Sequence, residues 1–413
     1  MAVHIVGGGA AGLATAIFLA RRRPALRIAV LDGARRLGAK ILVSGGGRCN
    51  LTNRVVTASD YWGGDRRIVA SVLAAFPVEA TIAFFREIGV SVHEEESGKL
   101  FPDTNRARTV LDALLDEAGR LGVTIVTGER VTRLEPLLAA GPVVLATGGR
   151  SLPKSGSDGE GLRMAASLGH TIVETTPALA PLVVGCGLSR AVSSLSGKEG
   201  TAAFHQQLSG VSHDAALTVE HGGRQLARLR GPLLWTHFGV SGPVALDASR
   251  HWHRAALGQE AVRVRVSFLP ALDARGAEQA LLEAAGRRPA ASLRSALASL
   301  IPSAVADAVL AHLSIEPAVQ MAQLPRATRA SLAKALVGWD LAVTGSRGYN
   351  FAEATAGGVA LDEVNRATLE SRVRPGLYLV GEMLDVDGRL GGFNFQWAWS
   401  SAWVAARGIA TGR

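Results

Sequence analysis

The chain has 413 residues, of which 48% are hydrophobic and 19% are charged; this balance excludes a disordered protein, and the length predicts roughly two or three packing units. Its formal net charge of +9 excludes an acidic protein and favours polyanions such as RNA as partners, with a basic drift in composition as the alternative. The two cysteines, Cys49 and Cys186, provide neither a disulfide framework nor a cysteine-rich metal site, so we expect a cytoplasmic protein without a bound metal.

Residues 1–20 are apolar, but they do not have the pattern of an export signal. No positive charge precedes the apolar stretch, and the arginines at 21–23 follow it. Nowhere in the chain does an uninterrupted apolar stretch reach about 18 residues, so we predict no membrane-spanning helix and no membrane partner.

A strand, a glycine-rich turn and a helix are predicted at the start of the chain. The apolar run 3–6 is typical of a buried parallel strand, and an alanine-rich helix follows over Ala10–Arg22. Between them lies the GxGxxG pattern, with Gly7, Gly9 and Gly12. In a dinucleotide site these glycines allow a tight turn, a close approach of pyrophosphate and close packing of the helix on the strand. The helix then begins at Ala10 and Ala11, where free N–H groups attract phosphate.

A second strand and an acidic residue complete this pattern. The apolar run 27–31 ends at Asp32, 20 residues after Gly12, where a carboxylate can accept hydrogen bonds from ribose hydroxyls. A chance cluster of glycines is the alternative, but the strand, the helix, the second strand and the acidic residue follow one another in the order and at the spacing of a dinucleotide site. The pattern indicates a dinucleotide and does not distinguish FAD from NAD.

The next segment, 38–53, combines glycines with hydroxyl and amide side chains. Such a loop suits a backbone pressed against a flat, polar ligand. A plain surface turn would need two glycines, whereas three consecutive ones precede Arg48 here. The candidate ligand contacts are Gly38, Lys40, Ser44, Gly45, Gly46, Arg48 and Asn50.

With this segment the chain resembles the BaiN/RdsA family of NAD(P)/FAD-dependent oxidoreductases. The resembling blocks follow in family order at 38–41 with 44–53, 98–102, 145–149, 153–159, 236–243, 355–359, and 381–388 with 391–394. The resemblance implies an α/β fold, in which a Rossmann-like FAD-binding domain made of two dinucleotide halves is interrupted by a β-rich insert domain and a helical subdomain.

The resemblance also implies how these parts of the chain surround one FAD. Backbone near 131 flanks the adenine, a strand over 143–146 leads to a turn beside the cofactor, and a last strand over 377–380 leads to the ribityl chain and pyrophosphate. The terminal helix begins with N–H groups that face the flavin pyrimidine. The implied contacts are Val131, Ala146, Thr147, Gly148, Gly381, Glu382, Asp387, Gly391, Gly392, Phe393 and Asn394. Lys40 supports the pyrophosphate region, and Arg48 and Asn50 anchor flavin or substrate oxygens.

Two positions depart from the family pattern. Leu152 stands where members often have an aromatic residue, and Phe393 stands where tyrosine is common. The helical part of the insert is also short. Because these changes lie on the substrate side, they affect the transfer of substrate identity and leave the FAD assignment intact.

The sequence predicts a discontinuous FAD-binding domain over 1–186 and 346–413, a β-rich insert over 187–270 and a helical subdomain over 271–345. Alternating stretches at 216–220 and 262–268 indicate antiparallel strands, and 277–339 has a helical pattern. No second GxGxxG lies between 187 and 345, so NAD(P)H is expected to reduce the flavin as a transient visitor. That range holds sixteen Lys and Arg against eleven Asp and Glu, an excess that fits either a polyanion-binding cap or solvated faces.

Two residues are candidate proton donors in the catalytic site, Cys49 in the glycine-rich loop and His237 in the block 236–243. The alternatives are a small packing residue for Cys49 and a core histidine that fixes a turn for His237. The preferred function is reduction of a conjugated C=C bond in an rRNA uracil, with NAD(P)H as reductant. Two alternatives remain: an oxidoreductase for a small amine or enone, and a flavin-binding adaptor without turnover. The sequence does not predict the oligomeric state.

Overall fold

The computed structural model describes residues 2–185, 204–258 and 260–412, and the chain divides into two compact units. Unit 1 comprises Met1–Ala178 and Tyr349–Arg413, and unit 2 comprises Leu179–Gly348. Cys186 and residues 187–203 of the expected insert lie outside the described residues. The sequence predicts an interruption at 187–345 that is divided at 270, whereas the structure groups the described strands and helices of the interruption in one unit.

The first part of unit 1 contains most of its secondary structure. Its strands are β1 Ala2–Val6, β2 Arg27–Asp32, β3 Thr52–Asn53, β4 Tyr61–Gly63, β5 Val92–Glu95, β6 Lys99–Pro102, β7 Thr124–Thr127, β8 Val143–Leu145 and β9 Ile172–Ala178. Its helices are α1 Ala10–Arg22, α2 Ala39–Gly47, α3 Arg66–Ala75, α4 Val78–Glu87, α5 Ala107–Arg120, α6 Glu135–Ala140 and α7 Glu160–Ser167.

Unit 2 follows, and the chain then returns to unit 1. The strands of unit 2 are β10 Leu182–Val184, β11 Ser212–His221, β12 Arg224–Thr236, β13 Gly239–Ser241, β14 Val262–Ser267, β15 Trp339–Leu341 and β16 Val343–Ser346. Its helices are α8 Phe204–Gln207, α9 Pro243–Ala255, α10 Ala274–Arg287, α11 Leu293–Ala298, α12 Ser303–His312 and α13 Arg326–Val337. The returning chain forms β17 Ala354–Val359, β18 Leu377–Leu379, β19 Val386–Gly388 and α14 Phe393–Thr411. Short 3₁₀ turns occur at Ala58–Asp60, Glu96–Gly98, Pro153–Ser155, Met321–Gln323, Leu361–Glu363 and Gly381–Met383.

A five-stranded parallel sheet forms the centre of unit 1, in the order β18-β8-β1-β2-β7. The apolar run predicted at the N-terminus forms β1, which pairs with β2 on one side and with β8 on the other. Such a strand is buried on both faces, which explains why Val3 and Ile5 are fully buried although successive side chains point to opposite faces. Smaller sheets pair β17 with β9, β19 with β4, and β3 and β5 with β6. The predicted α/β fold with a parallel sheet is confirmed.

Helices α1 and α14 pack against each other in the core of unit 1. Residues 11–20 of α1 are all buried, and α14 buries Trp397 and Trp399. A helix that is apolar on nearly all sides needs neighbours on all sides, and here the sheet and the second helix supply them. The first and last segments of the chain are therefore held together by one core.

Seven strands among the described residues of unit 2 form a sheet in the order β15-β14-β11-β12-β13-β10-β16, and each of these pairings is antiparallel. The stretch 277–339 consists mainly of helices α10 to α13 and the segments that connect them, in agreement with the predicted helical pattern, and Trp339 already begins β15. Because β14 and β15 are neighbours in the sheet, α10 to α13 form a long connection between adjacent strands. Strands and helices share one hydrophobic core, which is why they form a single unit.

One helical stretch of the described residues, Arg66–Glu87, is long and apolar enough to cross a membrane by length and composition, with a mean hydropathy of 2.0. The stretch is divided into α3 and α4 at Pro77, which lacks the N–H that a continuous helix needs. Val72 and Phe85 are fully buried in the core of unit 1. The stretch thus consists of two short helices that contribute to a protein core.

Candidate functional site

The residues predicted to bind the dinucleotide converge on the carboxyl edge of the parallel sheet. Strands β1, β2, β8 and β18 run in the same direction, so the residues that follow them lie along one edge. The chain passes from β1 to β2 and on to β7 on one side of β1, and then crosses to β8 on the other side. The strand order therefore reverses beside β1, an arrangement that opens a ligand crevice in sheets of this kind. The residues that end or follow these strands are Gly7, Asp32, Ala146 and, after β18, Gly381.

The glycines of the first turn meet distinct steric requirements. Gly7 has a φ of +109°, and a Cβ there would lie 2.5 Å from the carbonyl oxygen of Ala146. A Cβ on Gly12 would overlap the carbonyl oxygen of Gly7. At Gly9, by contrast, a Cβ would meet nothing within 4 Å, so open space adjoins this position. Gly7 and Gly12 are required by protein packing, and Gly9 borders the space that a pyrophosphate would need.

Two helices of unit 1 begin at this site without a side-chain cap. Helix α1 has Gly9 as its N-cap and helix α14 has Gly392, and neither has an acidic residue in its first turn. Helix N-termini leave backbone N–H groups without partners and have a positive dipole end. The α1 terminus, opened by Ala10 and Ala11, fits a pyrophosphate, and the α14 terminus fits an electron-rich ring edge.

Asp32 organises the turn that surrounds it. One carboxylate oxygen accepts the N–H of Gly8 at 2.6 Å, and the other accepts the N–H of Ala34 at 2.7 Å. A carboxylate has about four acceptor positions, so these bonds leave capacity for ribose hydroxyls. Val131 follows a loop that returns to this point, since Glu129 donates its N–H to the carbonyl of Asp32 at 3.1 Å. The structure thus places the predicted adenine and ribose contacts close together.

The glycine-rich loop has an unusual backbone. Helix α2 is interrupted at Ser44, and Gly45 and Gly46 adopt left-handed conformations with φ of +55° and +68°. Gly38 caps the helix in the same conformation, and a Cβ there would strike Leu111. A Cβ on Gly46 would meet nothing within 4 Å, so this part of the loop borders open space. The loop geometry fits a backbone that lies against a ligand.

Lys40 and Glu382 form an ion pair, and their side chains are only 27% and 19% exposed. Ser151, which is fully buried, accepts a hydrogen bond from Lys40 at 2.6 Å and donates one to Glu382 at 2.8 Å. Thr355 fixes Ser151 by accepting its backbone N–H at 3.0 Å. Lys40 was expected near the pyrophosphate, and its ammonium group here is held by the carboxylate that follows β18.

Arg48 and Asn50 lie beyond the glycines in different environments. The Arg48 guanidinium binds Glu95 at 2.6 Å and stacks on Phe101, 4.0 Å from the ring centroid. This ion pair is the main reason why the pKa of Glu95 is lowered. Asn50 is buried, and its side-chain oxygen has no hydrogen-bond partner within the protein. A buried acceptor without a donor fits a site that a polar ligand completes.

Cys49 is fully buried in the core of unit 1 and has a φ of +63°. Burial raises the pKa of its thiol to about 12, although a hydrogen bond with Ser44 acts in the opposite direction. A thiol in this environment stays protonated and resembles a small apolar side chain. The structure therefore favours the packing role over the catalytic role for Cys49.

The C-terminal part of the site packs directly on its N-terminal part. Gly381 has a φ of +68°, and a Cβ there would lie 2.9 Å from the Cβ of Ala11 in α1. Asp387 is buried in β19. Gly391 has a φ of +123°, and a Cβ on Gly392 would meet the backbone of Thr52.

The side chains at the start of α14 stabilise the loop before it. Asn394 accepts the N–H of Gly388 at 2.8 Å and donates to its carbonyl at 3.0 Å. Phe393 is fully buried, and its carbonyl accepts the hydroxyl of Tyr61 at 2.7 Å. The side chain of Asn394 thus stabilises the loop, and the backbone of Phe393 is bound to Tyr61, while the helix N–H groups remain the predicted flavin contacts.

His237 belongs to unit 2, in the turn between β12 and β13. Its side chain is exposed and makes an edge contact with Phe238, with 5.1 Å between the ring centroids. The alternative of a core histidine does not fit this exposure.

Three polar residues of unit 1 were not assigned roles by sequence reasoning. Ser151 and Thr355 support Lys40, and Ser157 lies against Gly148 with its buried hydroxyl unpartnered within the protein. Ser157 and Thr355 stand in blocks that resemble the family, which was the available signal; Ser151 had none. Thr147 directs its hydroxyl to the sulfur of Met383 at 2.8 Å.

The glycine-rich turns, the unpartnered polar side chains and the two uncapped helix termini of unit 1 together fit an FAD. Lone acceptors, open space beside glycines and a parallel-sheet crevice are what an extended dinucleotide needs. Within the described ranges, no three His, Cys, Asp or Glu side chains are grouped to hold a metal ion.

Comparisons with known proteins identify a matching family model and several relatives. A family model described as "HI0933-like protein Rossmann domain" matches residues 1–408. The chain is 33% identical to the 3-dehydro-bile acid delta(4,6)-reductase of Clostridium scindens, over 99% of this chain and 98% of the relative. It is also 33% identical to the ribosomal RNA dihydrouridine synthase of Escherichia coli, over 98% and 97%. Among solved structures, a 3-ketosteroid delta1-dehydrogenase of Sterolibacterium denitrificans is 12% identical, with a TM-score of 0.46 and coverage of 100% of this chain and 99% of that chain.

Proposed function

The chain belongs to the HI0933-like Rossmann family, as an FAD-dependent oxidoreductase related to BaiN and RdsA, and we propose that it reduces a C=C bond conjugated to a carbonyl, with NAD(P)H as the reductant. The observation that carries this proposal is the reaction class that two relatives of nearly full coverage have in common. Dihydrouridine is uridine with its C5=C6 bond, conjugated to a carbonyl, saturated. A delta(4,6)-reductase acting on a 3-oxo bile acid reduces double bonds conjugated to that oxo group.

The proposed reaction divides the chemistry between cofactor and protein. FAD, once reduced by NAD(P)H, would supply a hydride for the β carbon of the conjugated system, and a protein acid would supply the proton for the α carbon. The α1 N-terminus would hold the pyrophosphate. The α14 N-terminus would offer N–H donors to negative charge on the pyrimidine side of the ring, where preorganised dipoles are most effective. The pair of Lys40 and Glu382, fixed by Ser151, would keep both segments in place.

His237 is the proton donor that we favour. Its imidazole is exposed to solvent, from which a donated proton can be replaced, whereas the Cys49 thiol is buried and burial raises its pKa to about 12. Because the sequence has no second GxGxxG, NAD(P)H would visit the flavin and leave before the substrate enters, in a ping-pong cycle.

For the substrate we favour a uracil in ribosomal RNA, exposed so that it can stack on the flavin. The net charge of +9 and the basic excess over 187–345 support a polyanion, and this reaction would take place in the cytoplasm. The test is mass spectrometry of ribosomal RNA from a strain that lacks the gene. We expect one dihydrouridine to disappear and to return with the wild-type gene but not with Gly12→Ala. An unchanged dihydrouridine content would eliminate the RNA substrate.

The second candidate is a small enone or amine. Leu152 favours it, because this non-glycine residue has a φ of +52° in the segment where the family pattern is broken, and strained backbone clusters at functional sites. In stopped-flow experiments, rapid reoxidation of the reduced flavin by a steroid enone, insensitive to added RNA and salt, would support it. Family membership argues against the adaptor, which would require that neither NADH nor NADPH bleaches the flavin anaerobically.

A further inference from the structure

We propose that strand β12 of unit 2 binds the phosphate backbone of a single RNA strand through Arg224, Arg228 and Arg230. This inference rests on the proposed function, since it assigns the surface that would grip the ribosomal RNA. All three side chains are exposed. Arg224 lies at the hairpin end of the strand, opposite His221 and beyond a register shift, so it extends the basic surface along β12 rather than on the face of Arg228 and Arg230. About 20 Å of backbone separates it from Arg230.

These arginines differ from the arginines of the neighbouring strands, because no carboxylate forms an ion pair with them. Across the sheet, Arg265 in β14 forms an ion pair with Glu220, and Arg263 lies 3.7 Å from Asp340. Within the described part of the chain, Arg224, Arg228 and Arg230 form no ion pair, and Arg228 donates only to the carbonyl of Pro270 at 3.2 Å. The local positive charge is therefore concentrated on β12.

The register of the sheet places Arg228 and Arg230 on one face. Thr218 of β11 lies opposite both Arg228 and Arg265, and Ala216 lies opposite Arg230. The β11 residues that lie directly beside Arg228 and Arg230 are thus small and uncharged. The carboxylate on this face of β11, Glu220, is already paired with Arg265. A polyanion lying here therefore meets the guanidinium groups of Arg228 and Arg230 without a free carboxylate between them.

The outer edge of β12 is also open over most of its length. Only Leu234–Thr236 pair with β13, so in the described ranges residues 224–233 have a strand partner on one side alone. Arg228 further lines a cleft of about 450 Å³ with Val337 and residues 270–274. The cleft lies toward β14, on the side of β12 opposite to its open edge. The edge and the cleft together give an extended strand room that a single small metabolite would not require.

A structural explanation competes with this proposal. Exposed strand edges often carry charges that prevent pairing with other chains, and arginines on β12 would serve that purpose without any ligand. The two explanations differ in their dependence on RNA and salt. If each arginine neutralises one phosphate, removing all three lowers the slope of log affinity against log salt by about 2, because each contact to single strands contributes about 0.7.

The test compares two triple variants of the full-length FAD-bound protein. R224A/R228A/R230A removes the β12 arginines, and R275A/R287A/R288A removes the same charge from exposed positions in and just after α10. Binding of a labelled single-stranded uridine oligonucleotide is followed by fluorescence anisotropy over a salt series. Flavin content and melting temperature show that both variants fold.

We expect the β12 variant to lose affinity on the order of 100-fold at about 0.1 M salt, with the smaller salt slope, and the α10 variant to lose much less. Equal losses in the two variants, or no binding by the wild type, would overturn the proposal. So would aggregation of the β12 variant with unchanged RNA affinity. If the wild type binds RNA through β12 but makes no dihydrouridine, the result would support this surface and contradict only the proposed reaction.

Discussion

The ammonium group of Lys40 contacts the carboxylate of Glu382 although the two residues are 342 positions apart in the sequence. Lys40 lies in the first turn of α2, and Glu382 follows the last strand of the parallel sheet. Ser151, from the segment after β8, binds both. Three segments that surround the proposed FAD are thus joined by one polar network on the sheet edge.

Breaking this pair by Lys40→Met should lower the free energy of unfolding by about 1–3 kcal/mol, because a largely buried carboxylate loses its counter-charge. The variant should also bind FAD more weakly, as the segments lose their link. Urea unfolding and fluorescence titration with FAD measure the two effects. Arg54→Ala is the matched control, since the pair of Arg54 and Glu94 is 51% and 44% exposed and is expected to contribute less than about 1 kcal/mol. Similar losses in both variants would show that burial of the Lys40 pair is unimportant.

Much of unit 1 could be predicted because its signals are local. Helix α1 has the predicted bounds, and β1, β8 and β18 differ from the predicted strands by one residue at one end. Glycine spacing and apolar runs specify a strand, turn and helix within about thirty residues. Ser151 could not be predicted in the same way, since its role depends on contacts with Lys40 and Glu382, which only the folded sheet edge brings together.

The organisation of unit 2 illustrates a different limit of prediction from the sequence. The alternating stretches predicted two strands, and the structure extends 216–220 to Ser212–His221. The helical pattern predicted over 277–339 includes Trp339, which in the structure begins the short strand β15. Its strand state is set by pairing with β14, a partner more than seventy residues earlier. Short apolar runs do not distinguish a helix end from a strand, so tertiary pairing decides.

Gly9 and Gly12 should respond differently to alanine. Gly9→Ala places a Cβ in open space at a φ of −83°, so the protein should keep its stability while FAD affinity falls, because the methyl group enters the pyrophosphate space. Gly12→Ala drives a Cβ into the carbonyl of Gly7 and should reduce both stability and FAD content. Thermal unfolding of the flavin-free protein and titration with FAD separate the two effects. Equal FAD affinity of Gly9→Ala and the wild type would place the pyrophosphate elsewhere.

Cys49 should resist alkylation in the folded protein. Burial raises the pKa of its thiol to about 12, so near pH 8 only about one molecule in ten thousand carries the reactive thiolate. Peptide mapping after iodoacetamide treatment should find Cys49 unmodified until the protein is unfolded. Rapid native alkylation would contradict the buried environment.

The same raised pKa has a consequence for stability. The folded state keeps a proton that the unfolded chain releases near pH 9, so this contribution is full below about pH 9 and is lost as the pH rises toward 12. Cys49→Ala removes the contribution. The stability difference between the wild type and this variant should therefore shrink between pH 9 and 11 in urea unfolding, and a constant difference would count against it.

His237→Gln should separate the two half-reactions. The side chain is exposed, so the change in the free energy of unfolding should stay within about 0.5 kcal/mol and FAD content should be unaffected. Reduction of the flavin by NAD(P)H does not need a proton donor for the substrate and should proceed at the wild-type rate. Transfer to the double bond should slow by at least about 100-fold, the usual contribution of a positioned acid.

Single-turnover experiments resolve these steps. The enzyme is reduced anaerobically, mixed with substrate RNA, and followed by flavin absorbance and by dihydrouridine content. Cys49→Ala is the comparison, because a packing residue should lower stability and leave the transfer rate within a few-fold of the wild type. If Cys49→Ala stops transfer while His237→Gln reacts normally, the proton comes from the buried thiol and the assignment of His237 is wrong. If both variants react normally, neither residue is the proton donor, and solvent or another group supplies the proton.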